Sequence, residues 1–235
     1  MTALNEDLDL YLRVREREGR LYSDETVRQL PSMPADHPLH DEWRARAASA
    51  DRLTAYLGRL PKPVAVLDLG CGNGWLSHRI AISCDSFTVG LDRDGPELHQ
   101  ARRAFARHDK LSWIAADIFR PPFADGRFDV IVVASAIQYF ADLSCLINTL
   151  FPLLSTNGEI HILDSPLYSH DELPAARDRS RRYYQRLGIP EMAAHYHHHS
   201  RSVLEAYNPL WLYMPRHEPH DSPFPWVCLR KHRQR

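Results

Sequence analysis

Between Val64 and Ser77 the chain reads VAVLDLGCGNGWLS. The continuous apolar run predicts a buried strand, and it ends in glycines at 70, 72 and 74 before a helix opens. Residues without a Cβ let the backbone approach a ligand at the C-terminal edge of a parallel sheet, so this is a nucleotide-binding turn. Its details narrow the ligand. A dinucleotide fingerprint spaces its glycines G-x-G-x-x-G and cradles a pyrophosphate on a helix N-terminus. Here the third glycine comes one residue early, and a carboxylate, Asp68, stands two residues ahead of the first. An acid there suits a cationic ligand and not a phosphate.

Outward from this string the chain alternates strand and helix. The sequence predicts strands at 64–69, 87–91, 111–116, 128–134 and 158–163, with helices after Asn73, from Pro96, and over about 142–154. That alternation implies an α/β fold, a parallel sheet with helices on both faces. The second strand ends at Asp92, 24 positions after Asp68, close to the offset of about 20 expected of a ribose-binding acid. The third ends at Asp117. Three acids at the ends of successive strands are harder to obtain by chance than one glycine loop.

Asp68-Leu69-Gly70-Cys71-Gly72-Asn73-Gly74 resembles the (D/E)-x-G-x-G-x-G hallmark of class I S-adenosylmethionine-dependent methyltransferases at every defined position. The resemblance implies a Rossmann-like seven-stranded sheet, mostly parallel, whose last strand inserts antiparallel between the fifth and sixth. Leu210–Met214 and Trp226–Leu229 supply the room for that ending. It implies S-adenosylmethionine as cofactor and S-adenosylhomocysteine as product. Asp68 and the loop backbone would hold the methionine ammonium, Asp92 with Arg93 the ribose, and Asp117-Ile118 the adenine. Ser135 and Gln138 would lie near the sulfonium.

The global numbers fit one enzyme domain. At 235 residues the chain can bury a sizeable core. Net charge is -1 and pI about 6.9, so nothing in the balance calls for nucleic acid. The tail Arg230-Lys231-His232-Arg233-Gln234-Arg235 reads as a solvated terminus. Cysteines 71, 84, 145 and 228 lack metal-site spacing and read as reduced thiols. The acidic, polar start MTALNEDLD is no signal peptide, and no apolar run approaches the roughly 18 residues of a membrane span. A cytoplasmic monomer or homodimer is expected.

Residues 1–62 read as a helical cap or lid, with a helix over about 41–60, ahead of a core at 63–235 carrying a helical insertion at about 166–207. Tyr11, Tyr22, Trp43 and Arg46 are lid candidates, Arg46 able to pair with the cofactor carboxylate. After the fourth strand, Ser135-Ala136-Ile137-Gln138-Tyr139 lacks the prolines of base-amino methyltransferases and the acids of metal-dependent catechol enzymes. It is similar to the quinone-ring and small-molecule branch, and no metal is expected. Asp164, His195 and His199 are base candidates, with Tyr139, Tyr168 and His198 beside the acceptor. On a helix, His195 and His199 of the string His195-Tyr196-His197-His198-His199 would share one face. His161 reads instead as a hydrogen-bonded core histidine. A small-molecule acceptor leads, a sugar-, lipid- or carrier-linked acceptor comes second, and a non-catalytic cofactor-binding module is a third reading.

Overall fold

The computed structural model describes residues 2–106, 108–215 and 222–231. The basic tail from 232 onward lies outside them. Three helices precede the sheet: α1 (Thr2–Arg17), α2 (Asp24–Gln29) and α3 (His40–Leu57). Then come β1 (Ala65–Leu69), α4 (Trp75–Cys84), β2 (Phe87–Asp92), α5 (Pro96–Ala104), β3 (Leu111–Ala115) and β4 (Phe128–Ala134). α6 (Leu143–Leu153) and β5 (Leu154–Leu163) follow, then β6 (Leu167–Tyr168), α7 (Leu173–Leu187), β7 (His199–Ser200), β8 (Leu210–Tyr213) and β9 (Trp226–Arg230).

Seven strands form one sheet in the order β3-β2-β1-β4-β5-β9-β8. β1 through β5 run parallel, while β9 pairs antiparallel with both β5 and β8. The expected mostly parallel sheet with an inserted antiparallel strand is therefore present. Val130, Ile131, Val132 and Val133 of β4 are all fully buried, as a central strand covered on both faces requires. The fifth strand begins at Leu154, earlier than its apolar run predicts, because Phe128 pairs with Leu154 before a register shift in the ladder. β1 is pinned at its start by Asp129, which accepts the Ala65 N–H at 2.9 Å and the Ser155 hydroxyl at 2.9 Å.

Two apolar layers sandwich the sheet. One packs Leu146, Ile147 and Leu150 of α6 and Leu204 against Leu67, Ile131 and Ile160. The other packs Trp43, Leu53 and Leu57 of α3 and Ile80 of α4 against Val66, Val130 and Val132. α3 is thus part of the sheet's covering, whereas α1 packs elsewhere, on the 184–192 region.

His161 is fully buried on β5, and its bonds assign its tautomer. Trp226 Nε1 can only donate, at 3.1 Å, to His161 Nδ1, so the proton lies on Nε2 and bonds Glu159 at 3.2 Å. Glu159 also accepts from Tyr56 Oη and Arg230 Nε, each at 2.8 Å. Burial raises the Glu159 carboxyl, but its bonds to His161, Tyr56 and Arg230 outweigh burial and hold it at about 2. Cys228 lies within reach of both side chains, but His161 Nδ1 already accepts from Trp226 and both Glu159 oxygens already accept from protein donors, one of them cationic. The cluster ties β5 to β9 and α3. Because α3 covers the sheet, Leu53→Ala should lower stability by about 2–5 kcal/mol in a single cooperative transition, as urea unfolding would measure.

Candidate functional site

The C-terminal ends of β1 to β5 lie along one edge, with the sheet order reversing between β1 and β4. The Gly70 and Cys71 N–H groups both donate to the Leu91 carbonyl, at 2.8 and 3.2 Å, fastening the glycine loop to the end of β2. The loop's glycines serve different needs. Gly74 has a φ of 81°, and a Cβ there would lie 2.3 Å from the Trp113 ring, so this glycine lets the loop pack on β3 and α5. A Cβ on Gly72 would meet only the Glu97 carboxylate, at 3.7 Å, which leaves that face of the loop open to a ligand.

Two acids flank the open face. Asp68 is 2% exposed, and its Oδ2 accepts from Ser77 Oγ at 2.5 Å. Asp92 accepts the Gly72 and Arg93 N–H groups, each at 2.7 Å. Burial pushes Asp68 up to about 7, eased by Ser77 and reinforced by Asp92. Burial likewise raises Asp92 to about 6, with Gly72 opposing and Glu97 adding to the rise. Two carboxyls so strained toward the neutral form gain from a ligand that brings a cation and hydroxyl donors. S-adenosylmethionine, with its ammonium and ribose diol, fits that set.

The Ala116 N–H donates to the Asp92 carbonyl at 3.0 Å, which carries Asp117 to the same edge. Asp117 is exposed and its Oδ1 accepts the Phe119 N–H at 3.0 Å, while Ile118 beside it is buried. Ser135 and Asn73 lie at the edge too: Ser135 Oγ donates to the Asp164 carbonyl at 2.9 Å, and Asn73 is 6% exposed. Cys71 is buried, and burial pushes its thiol well up, so it is a packing residue of the loop. Gln138 is not a surface amide. It is 8% exposed, its Nε2 donates to the Ser135 carbonyl at 2.7 Å, and its Oε1 accepts from Ser165 Oγ at 3.4 Å.

Above the edge, Leu10 and Val14 of α1 pack with Tyr184, Ile189 and Met192. Rings then run in contact from one side to the other: Tyr11 to Tyr139 at 5.4 Å, Tyr139 to Tyr196 at 6.2 Å, Tyr196 to His198 at 5.3 Å and His198 to Tyr168 at 5.7 Å. Tyr139 keeps 42% of its surface accessible although Tyr11 and Tyr196 both lie against it. Burial raises its hydroxyl pKa all the same.

The histidine string departs from the helical expectation. Gly188, in the left-handed region at φ 77°, ends α7, and a 3-10 turn over Pro190–Ala194 follows. Backbone pairing then draws the segment out: the His197 N–H donates to the Gln138 carbonyl at 2.7 Å, and β7 pairs parallel with β6. His195 and His199 therefore share no helix face. His199 is buried and its Nε2 donates to the Ile137 carbonyl at 2.9 Å, so it fastens this strand over the loop after β4. His198 Nε2 meets Ser180 Oγ at 2.9 Å, and burial with Arg177 nearby lowers its pKa.

Other candidates are placed apart from the tyrosine row. Asp164 Oδ1 accepts from Ser49 Oγ at 2.7 Å and Ser222 Oγ at 3.3 Å, tying α3 and the approach to β9 onto the end of β5. Tyr22 Oη accepts from Trp43 Nε1 at 2.9 Å. Arg46 pairs with Glu42 at 3.0 Å and lies over the Trp43 ring. Sequence reasoning missed Arg15, Glu97 and Tyr184, which stand in amphipathic helices whose pattern marks a buried face and no site. A surface hollow lined by Arg28, His78, Ala104, Phe105 and His108 lies at the opposite edge, since His108 precedes β3.

The sheet order and the glycine loop are those of the class I S-adenosylmethionine-dependent methyltransferase fold. The profile of the methyltransferase domain matches residues 61–212, and the chain belongs to that family. It is 32% identical over 126 residues to a demethylmenaquinone methyltransferase of Thermus thermophilus, covering 53% of this chain and 54% of that protein. It is 32% identical over 97 residues to a malonyl-[acyl-carrier protein] O-methyltransferase of Legionella pneumophila, covering 41% of this chain and 34% of that protein. The chain thus spans about half, or less, of these curated relatives. Among solved structures, the CurJ carbon methyltransferase superposes with a TM-score of 0.64 at 16% identity, over 98% of this chain and 69% of that one. Geranyl diphosphate C-methyltransferase of Streptomyces coelicolor gives 0.59 at 14%, over 84% and 86%.

The Asp68 carboxyl carries a sign for pH dependence. Its folded value is raised, so its stabilising contribution to the free protein is full below the ordinary value of about 4 and is lost as pH rises through about 7. A cationic ligand selects the ionised form. Affinity for S-adenosylmethionine should fall by up to tenfold per pH unit below about 7, and Asp68→Asn should flatten that slope in calorimetric titrations.

Proposed function

We propose that the protein transfers the methyl group of S-adenosylmethionine to an oxygen, nitrogen or carbon nucleophile of a small, flat, largely apolar acceptor. The observation that carries this is the ring contact running Tyr11, Tyr139, Tyr196 across the ends of the strands. Aromatic walls favour planar acceptors through stacked and edge contacts. When bound, the cofactor supplies an electrophilic methyl on a sulfonium. The chain's own residues hold and exclude: Asp68 takes the ammonium, Asp92 the ribose hydroxyls, and Asp117 with Ile118 the adenine. Gln138 braces the loop that faces the acceptor, and α1 with the 184–199 region keeps water out. Placing the nucleophile is most of what such a reaction asks of a protein. For a hydroxyl acceptor, His198 is the base we favour, because it alone of the string's histidines stands in the ring row.

The cytoplasm is the setting this reading adopts, since free thiols persist there. No helix among the described residues is long and apolar enough to cross a membrane. All four cysteines are unpaired. A carrier-linked acceptor is the second reading, supported by the relatives named for malonyl-[acyl-carrier protein].

Titration with S-adenosylmethionine and S-adenosylhomocysteine tests the cofactor half. Binding in the micromolar range should weaken by about 1–3 kcal/mol in Asp92→Ala. Absence of binding by folded protein would sink the reading. For the acceptor half, turnover of quinols and phenols should exceed that of carrier-linked acyl groups, and Tyr139→Ala should raise the acceptor KM about tenfold while the cofactor KM stays put. The reverse preference would transfer the reading to a carrier-linked acceptor.

A further inference from the structure

Glu97 stands at the second position of α5, where an acid ordinarily serves the helix's own first turn. Among the described hydrogen bonds it makes none to that turn. Its carboxylate reaches back over the glycine loop instead, 3.7 Å from where a Cβ on Gly72 would lie. There it receives α1: Tyr11 Oη donates to Oε2 at 2.8 Å, and Arg15 Nη2 donates to Oε1 at 3.3 Å. The ion pair is well shielded, with side-chain exposures of 19% for Arg15 and 15% for Glu97. These are therefore contacts with more weight than an exposed pair.

Tyr11 connects two regions through one side chain. Its hydroxyl is bound to Glu97, and its ring meets Tyr139 edge to face at 5.4 Å. Glu97 also faces the Asp92 carboxyl, which its charge helps to raise. The residue thus adjoins the open face of Gly72, the ribose acid and the helix that roofs the acceptor. A further apolar contact sets the same end of α1 against the loop before α5: a Cβ on Gly95 would lie 3.1 Å from Leu8.

Resting on the cofactor reading above, we propose that Glu97 is a positioning residue that fastens α1 across the bound cofactor. It holds Tyr11 and Arg15, and so governs release of the nucleoside product and the stance of Tyr11 and Tyr139 around the acceptor. Opening α1 requires both contacts to Glu97 to break, and a ligand seated on Gly72 keeps the carboxylate turned toward α1.

The test compares wild type, Glu97→Gln and Tyr11→Phe by stopped-flow dissociation of S-adenosylhomocysteine and by hydrogen exchange of α1 in the complex. In Glu97→Gln, release should quicken by at least about tenfold, since a charged acceptor is lost to two donors. α1 amides should exchange faster in the complex, with the unliganded melting transition little changed. Tyr11→Phe should move both readouts the same way by less, and the double variant should match Glu97→Gln alone. If Glu97→Gln does not fold, Tyr11→Phe, which alters no charge, decides by the same readouts. Wild type that binds while release and α1 exchange stay unchanged in the variants would overturn the latch. Wild type that does not bind would overturn the cofactor reading and the latch with it.

Discussion

Asp68 is the penultimate residue of β1, a strand paired on both sides, to Gly90 and to Val132, and its carboxyl is almost wholly buried. A carboxyl so confined is driven toward the neutral form, and only a hydroxyl, Ser77, offsets it. The fold tolerates this cost because β1 is anchored by ladders on either side and by apolar layers above and below. The result is a charge deficit built into the least deformable part of the molecule, where a cationic ligand is welcomed without reorganisation of the backbone. Asp92 repeats the theme one strand over, with two backbone N–H groups fixing its direction.

The roof is built from weaker material. α1 contributes Leu10 and Val14 to a small cluster with Tyr184, Ile189 and Met192, far less than α3 buries against the sheet. Its remaining attachments are polar and aromatic, and several converge on Glu97 and Tyr139. A region with few buried apolar contacts opens at low free energy. Such a helix can be strapped down over a ligand and released again while the two layers around the sheet stay closed.

Over the loop after β4 the histidine string is held as extended chain. His197 and His199 bind carbonyls of the 137–138 turn, so their work is to hold a strand in place. That leaves the side chains of Tyr196, just before them, and His198, between them, in the ring row. Asp164 is spent in a comparable way, binding hydroxyls from α3 and from the segment before β9.

What the sequence determined by itself is the part governed by local pattern. Glycines at 70, 72 and 74, the acids ending β1 and β2, the acid just beyond β3, and continuous apolar runs are all features of a few neighbouring residues, and they yield the parallel sheet, its ligand edge and the cofactor class. His161 was legible for the same reason, since a histidine inside an apolar strand has to find partners. What only the tertiary structure decided is which side chains meet across the edge. Arg15, Glu97 and Tyr184 lie on helices whose sequence shows an amphipathic face and nothing of what that face touches. The histidine string had a spacing compatible with a helix, but carbonyls brought to it by the loop after β4 and by β6 drew it out into strand. Local sequence proposes a conformation; hydrogen-bond partners distant in the chain settle it, because a backbone group left unpaired beside the core costs more than any helix preference of five residues.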